Sequence, residues 1–93
     1  MLEKQIEKKL VDAVKSAGGM AFKFQPVSMN GVPDRIVLLK DGKVAFVELK
    51  APGKKLRPLQ VKRKEQIEAL GFRVFVVDRP EQIGGVVDEI LSP

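Results

Sequence analysis

Asp41-Gly42, set between two runs of alternating hydrophobicity at residues 35–40 and 43–50, most constrains how this chain can fold. An Asp-Gly pair tolerates the positive φ angles of a tight hairpin turn, so the two runs are expected to pair as antiparallel strands. Pro58 then suits the first turn of a helix running to about Leu70, where Gly71 stops it. Residues 72–77, rich in Val and Phe, form the next expected strand. A strand, a helix and a strand in that order make a crossover, so strands 43–50 and 72–77 are expected to run parallel.

The flanks extend this unit. Leu2, Ile6, Leu10, Ala13, Val14 and Ala17 recur at steps of three and four, which predicts a helix over 2–17 ended by Gly18-Gly19. Met20, Phe22 and Phe24 alternate with Lys23 and predict a strand over 20–24. Residues 25–32, with Pro26 and Asn30-Gly31, read as a loop able to move at a site entrance. After Asp78-Arg79-Pro80, the residues Ile83, Val86, Val87 and Ile90 predict a last short helix, weakened by Gly84-Gly85. The expected architecture is a single α/β domain spanning residues 1–93, of order α-β-β-β-α-β-α, with a mixed central sheet flanked by helices.

That framework gathers three chemically active side chains. Asp34 opens the first hairpin strand, whereas Glu48 and Lys50 close the second on one face, with Leu49 on the other. Two carboxylates beside an amine have the composition of a Mg²⁺ or Mn²⁺ site for phosphodiester hydrolysis, the carboxylates supplying hard oxygen ligands. The lysine can orient or deprotonate the attacking water. Taken singly, Asp34 reads as a turn cap and Glu48 with Lys50 as a surface charge pair. Their convergence favours the site.

Composition narrows the chemistry further. The chain has no Cys and no His, which removes disulfides, thiolate or imidazole metal sites, cysteine nucleophiles and histidine triads. Carboxylate, lysine and hydroxyl remain. The 93 residues contain no run near the roughly 20 apolar residues of a membrane span, and Met1-Leu2-Glu3-Lys4 lacks a signal-peptide core. The expected setting is the cytoplasm of a bacterial or phage-infected cell, with no membrane partner. A net charge of +5 favours a polyanion. Its distribution is more telling, because Lys54, Lys55, Arg57, Lys62, Arg63 and Lys64 follow directly on the acidic residues and could contact phosphates. The aromatic residues are five Phe, expected in the core, which argues against base stacking on exposed rings.

Gly31-Val32-Pro33-Asp34, then Val47-Glu48-Leu49-Lys50, then Gln60 at the head of a helix, resemble the PD-(D/E)xK nucleases. Within that superfamily the pattern is similar to the virus-type replication-repair nuclease domain, VRR-NUC, over nearly the whole chain. The resemblance implies a restriction-endonuclease-like core, with Asp34, Glu48 and the backbone carbonyl of Leu49 as metal ligands and Lys50 as the catalytic lysine. It also implies a first-helix glutamate at the metals. Glu7, about three turns before Gly18-Gly19, is the preferred candidate, with Glu3 one turn earlier as the fallback. Gln60 would position the lysine or the scissile phosphate, although it could also be a plain first-turn residue.

The resemblance therefore implies a Mg²⁺- or Mn²⁺-dependent DNA endonuclease. Stand-alone members of the family imply a homodimer that cuts branched DNA of the Holliday-junction type in repair. The alternatives are a flap, nick or end-processing nuclease, a restriction-type enzyme, and a non-catalytic DNA-binding module with a nuclease-like fold.

Overall fold

The computed structural model describes residues 2–93. Helix α1 (Glu3–Ser16) is followed by strands β1 (Met20–Lys23), β2 (Arg35–Leu39) and β3 (Lys43–Leu49), helix α2 (Pro58–Ala69), strand β4 (Arg73–Val77), a 3₁₀ turn (Pro80–Gln82) and helix α3 (Ile83–Leu91). The expected order is borne out, with element ends shifted by a residue or two. The sheet runs β1-β2-β3-β4, antiparallel across the first three strands and parallel between β3 and β4.

Local chemistry explains where the helices begin and end. Gln5, Gln60 and Gln82 each turn a side-chain oxygen back to the backbone N–H three residues earlier, at Leu2 (2.7 Å), Arg57 (2.9 Å) and Arg79 (3.1 Å). Each satisfies a donor that the helix start leaves unpaired. At the end of α1, Gly18 and Gly19 donate to the carbonyls of Lys15 and Val14, closing the last turn. Leu2 flanks α1 and is exposed, so it lies outside the apolar stripe that the periodicity assigned to it.

The core occupies one face of the sheet. Ile6, Leu10 and Val14 of α1 and Ile83, Val86, Val87 and Ile90 of α3 pack on Val37, Leu39, Ala45, Val47, Leu49 and Val77. Burying side chains of this size contributes roughly 1.5–3 kcal/mol each relative to exposure. Helix α2 lies on the opposite face against β4, and its one buried residue is Gln60.

The hairpin departs from the two-residue connection suggested by Asp41-Gly42. Both residues take positive φ, 65° and 70°, but the ladder pairs Leu39 with Lys43, so Lys40 joins the turn instead of ending β2. The reason is the core. In this register Arg35 faces Val47 and Val37 faces Ala45, all on the covered face. A slip pairing Lys40 with Lys43 would carry Ala45, Val47 and Leu49 out of the core and turn Glu48 into it.

The phenylalanines depart from expectation in part, since Phe75 packs against the core and the other four lie outside it. None of the five is fully buried; Phe22 and Phe72 are 44% and 46% exposed. Phe22, Phe46 and, by continued alternation, Phe24 lie on the sheet face opposite α1 and α3, which α2 covers only near β4.

Candidate active site

Asp34 sits one residue before β2, and Glu48 next to the end of β3, so the hairpin register brings them side by side. The Asp34 N–H donates to Glu48 Oε1 at 3.2 Å, and the Leu49 N–H donates to Asp34 Oδ1 at 3.3 Å. Lys50 Nζ lies 3.7 Å from Glu48 Oε2, as alternation along the strand predicts. Gln60 Nε2 donates to the same oxygen at 3.2 Å, while its own oxygen caps α2. An amide can do both, since it carries a donor and an acceptor on one short stem.

The pair is drier than a surface acid site. Glu48 is 6% exposed, which sets aside the reading of Glu48 and Lys50 as a surface charge pair. Burial pushes the Asp34 carboxyl above its usual range, opposed by the Leu49 hydrogen bond and reinforced by the charge of Glu3. Burial pushes Glu48 up as well, and the Asp34 charge adds to it, with Lys50 acting the other way. The fold therefore holds two carboxylates together at a cost that a nearby cation would relieve.

Arg35 is the member of the cluster that sequence reasoning missed. Its side chain lies on the core face, bonds Glu7 of α1, and reaches the Asp34 carbonyl at 2.9 Å and Asp34 Oδ2 at 3.1 Å. A signal was available, because 35, 37 and 39 share a face by alternation and a cation among Val37 and Leu39 requires a partner. Glu7 thus reaches the site through Arg35. Glu3 contributes its charge to Asp34, Arg35 and Glu48 from an exposed position one turn earlier.

The basic stretch divides by location. Arg57 lines a cavity of about 390 Å³ shared with Asp34, Glu48, Gln60 and Phe24, whereas Lys54, Lys55 and Lys62 are exposed. Arg63 donates to the Asn30 carbonyl at 2.8 Å and to Gln66, and Lys64 pairs with Glu68. Arg63 thereby ties the 25–32 loop to α2. Gly31 completes the tie: its φ is +83°, and a Cβ there would meet Leu59 at 2.6 Å, so a side chain at this position would push loop and helix apart. The loop expected to be mobile is anchored at this end.

Among the described residues no three acidic side chains converge as a metal-binding group. The donor set is two carboxylates. This suits a hard cation such as Mg²⁺, which commonly binds through one or two carboxylates and completes its shell with water and substrate phosphate. No described helix is long and apolar enough to cross a membrane.

Comparison with known proteins bears on the fold and the family. The family model described as VRR-NUC domain matches residues 2–79. A protein named "Putative nuclease p44", from Acyrthosiphon pisum secondary endosymbiont phage 1, is 49% identical over 76 residues, covering 82% of each chain. A solved structure described as "VRR_NUC domain" superposes with a TM-score of 0.86 at 29% identity, covering 92% of this chain and 94% of the other. The fold, the length of the match and the identity together place this chain in the VRR-NUC nuclease domain family.

Proposed function

We propose that this nuclease is a Mg²⁺- or Mn²⁺-dependent endonuclease acting on structured DNA, with four-way junctions as its leading substrate. The observation that carries the reading is the forced proximity of Asp34 and Glu48, both raised in pKa, beside an amine and open to a cavity. Asp34, Glu48 and the Leu49 carbonyl would hold the cation. When bound, it would neutralise charge on the phosphate and acidify a water.

The chain's own groups supply the rest. Gln60 fixes the Glu48 rotamer, and Arg35 holds Asp34 from the core side while linking it to Glu7. Lys50 carries ammonium donors beside Glu48 that can orient the attacking water. Arg57, on the cavity wall, offers the fork geometry that phosphate recognition favours. Lys54 and Lys55 extend positive charge away from the acids, counteracting their repulsion of the backbone.

A domain of this size offers little surface for reading a long base sequence, which favours recognition of DNA shape through phosphates. A four-way junction is two-fold symmetric, and a homodimer would place one site on each of two opposed strands. Met20, Phe22, Val44 and Phe72 are exposed apolar side chains that such pairing could cover.

The test is a panel of junction, flap, fork, nicked and linear duplex DNA, assayed with Mg²⁺ and Mn²⁺ beside Asp34→Ala, Glu48→Ala and Lys50→Ala. Paired incisions on the junction by the native chain, lost in all three variants, are expected. Wild-type rates in any variant would refute the site, and faster cutting of a flap by a monomer would refute the junction preference.

A further inference from the structure

The cavity at the carboxylates is larger than a phosphate alone requires, and beside its polar groups it has apolar ones. Its volume of about 390 Å³ is within the range of small-ligand pockets. Asp34, Glu48 and Arg57 form one part of its lining, whereas Phe24, Pro26 and Met29 form an apolar part. Phe24 is tied to the acids through the backbone, its N–H donating to the Asp34 carbonyl at 2.8 Å. Its ring is braced by Phe46, centroid to centroid 5.9 Å at 54°, and Phe46 by Phe72 at 6.0 Å and 86°. Met29 is 48% exposed on the loop that Arg63 and Gly31 anchor. Gln25 and Asn30, from the same loop, bring amide side chains to the lining.

We infer that this cavity is a nucleobase site, and that the nuclease selects an unpaired nucleotide next to the phosphate it cuts. The inference rests on the proposed function and narrows its substrate class. In duplex DNA the faces of a base are covered by its neighbours, so Phe24 can stack only on a base that has left the helix. A thioether such as Met29 packs well against a ring, and the amides of Gln25 and Asn30 can pair with its edge. With the phosphate held beside Arg57 and the carboxylates, the base attached to it falls toward the apolar wall. Bulges and flaps carry such bases, and a four-way junction yields one when a pair at its crossover opens; perfect duplex does not.

Binding without cleavage provides the test, measured by fluorescence anisotropy of the full chain in EDTA. Three DNAs are compared: a duplex with one unpaired nucleotide, the same duplex with an abasic residue at that place, and a fully paired control. The base-bearing site should bind about tenfold tighter than the abasic one, the size of a single base-on-aromatic stack. Phe24→Leu and Met29→Ala should each bring that ratio toward one. Should Phe24→Leu fail to fold, Met29→Ala, on the loop surface, decides. A wild-type ratio within twofold, or a ratio that Met29→Ala leaves unmoved, overturns the base site. Cleavage of the same DNAs in Mg²⁺ and Mn²⁺ is scored apart. Selective binding with no cleavage would refute the hydrolase reading and leave the base site standing, whereas unselective cleavage would do the reverse.

Discussion

Gln60→Met tests whether the site is held by the bond that the geometry assigns to it. Methionine keeps the length, flexibility and helix propensity of glutamine, but removes the donor to Glu48 and the acceptor for the Arg57 N–H. A hydrogen bond to a charged group is worth about 1.5–3 kcal/mol. The lost cap adds roughly 0.5 kcal/mol, near the low end because Arg57 is exposed and its N–H can turn to water. Greater apolar burial offsets up to about 1 kcal/mol, leaving a net loss near 2 kcal/mol. For a domain of 93 residues that lowers Tm by roughly 10 °C. Urea unfolding, followed by circular dichroism, should show a lower midpoint at unchanged slope. In a Glu48→Met background the same substitution should be near neutral, the lost cap of about 0.5 kcal/mol set against the apolar gain of up to about 1 kcal/mol, because its partner is gone. A loss below about 0.5 kcal/mol in the native background, or equal losses in both, would refute the reasoning.

Asp34 and Glu48 have folded pKa values raised by burial, so the folded state binds more protons than the unfolded one between the ordinary carboxylate range and the raised values. Their contribution to metal-free stability should therefore be fully present below the unfolded pKa values and be lost as pH rises through the folded ones. Glu48→Gln should lessen that loss in a series of urea titrations, and a native-minus-variant difference of the opposite slope would refute the assignment. Added Mg²⁺ should stabilise the native chain in proportion to the logarithm of its concentration above Kd, and Asp34→Asn should abolish that shift in a thermal melt. Arg35→Met would leave Glu7 unpaired against the core and should cost about 3 kcal/mol by the same unfolding assay. Neutralising Lys54, Lys55 and Arg57 together should lower the salt dependence of DNA affinity, by about 0.9 in slope for each duplex phosphate no longer neutralised, with less effect on saturating single-turnover cleavage. Glu7→Gln should slow single-turnover cleavage more than Glu3→Gln at matched metal concentration, and the reverse order would refute the preference for Glu7.

Much of this domain was legible because its signals are local. The glycine stops, the Asp-Gly turn and the three- and four-residue periodicity act over a few neighbours, and the element order follows from them. The grouping of Asp34, Glu48 and Lys50 needed one step more, the alternation of a strand across a hairpin. Gln60 was legible as a family position, while its double duty, capping α2 and bonding Glu48, appears only once the helix is docked. Arg35 passed unnoticed because a charge at a strand's end is usually read as surface.

Local sequence signals thus sufficed for the elements, their order, the parallel crossover and the acidic pair. Tertiary packing selected which sheet face is covered, and with it the register of the hairpin: Lys40 entered the turn so that Val37, Ala45 and Val47 could meet α1 and α3. It also left Phe22, Phe24, Phe46 and Phe72 outside that core, against expectation, while Phe75 packs against it. Hydrophobicity records that a side chain avoids water but not which neighbour will cover it. That depends on where a single polar helix, α2, comes to rest across a four-stranded sheet, and residues far apart in sequence settle it together.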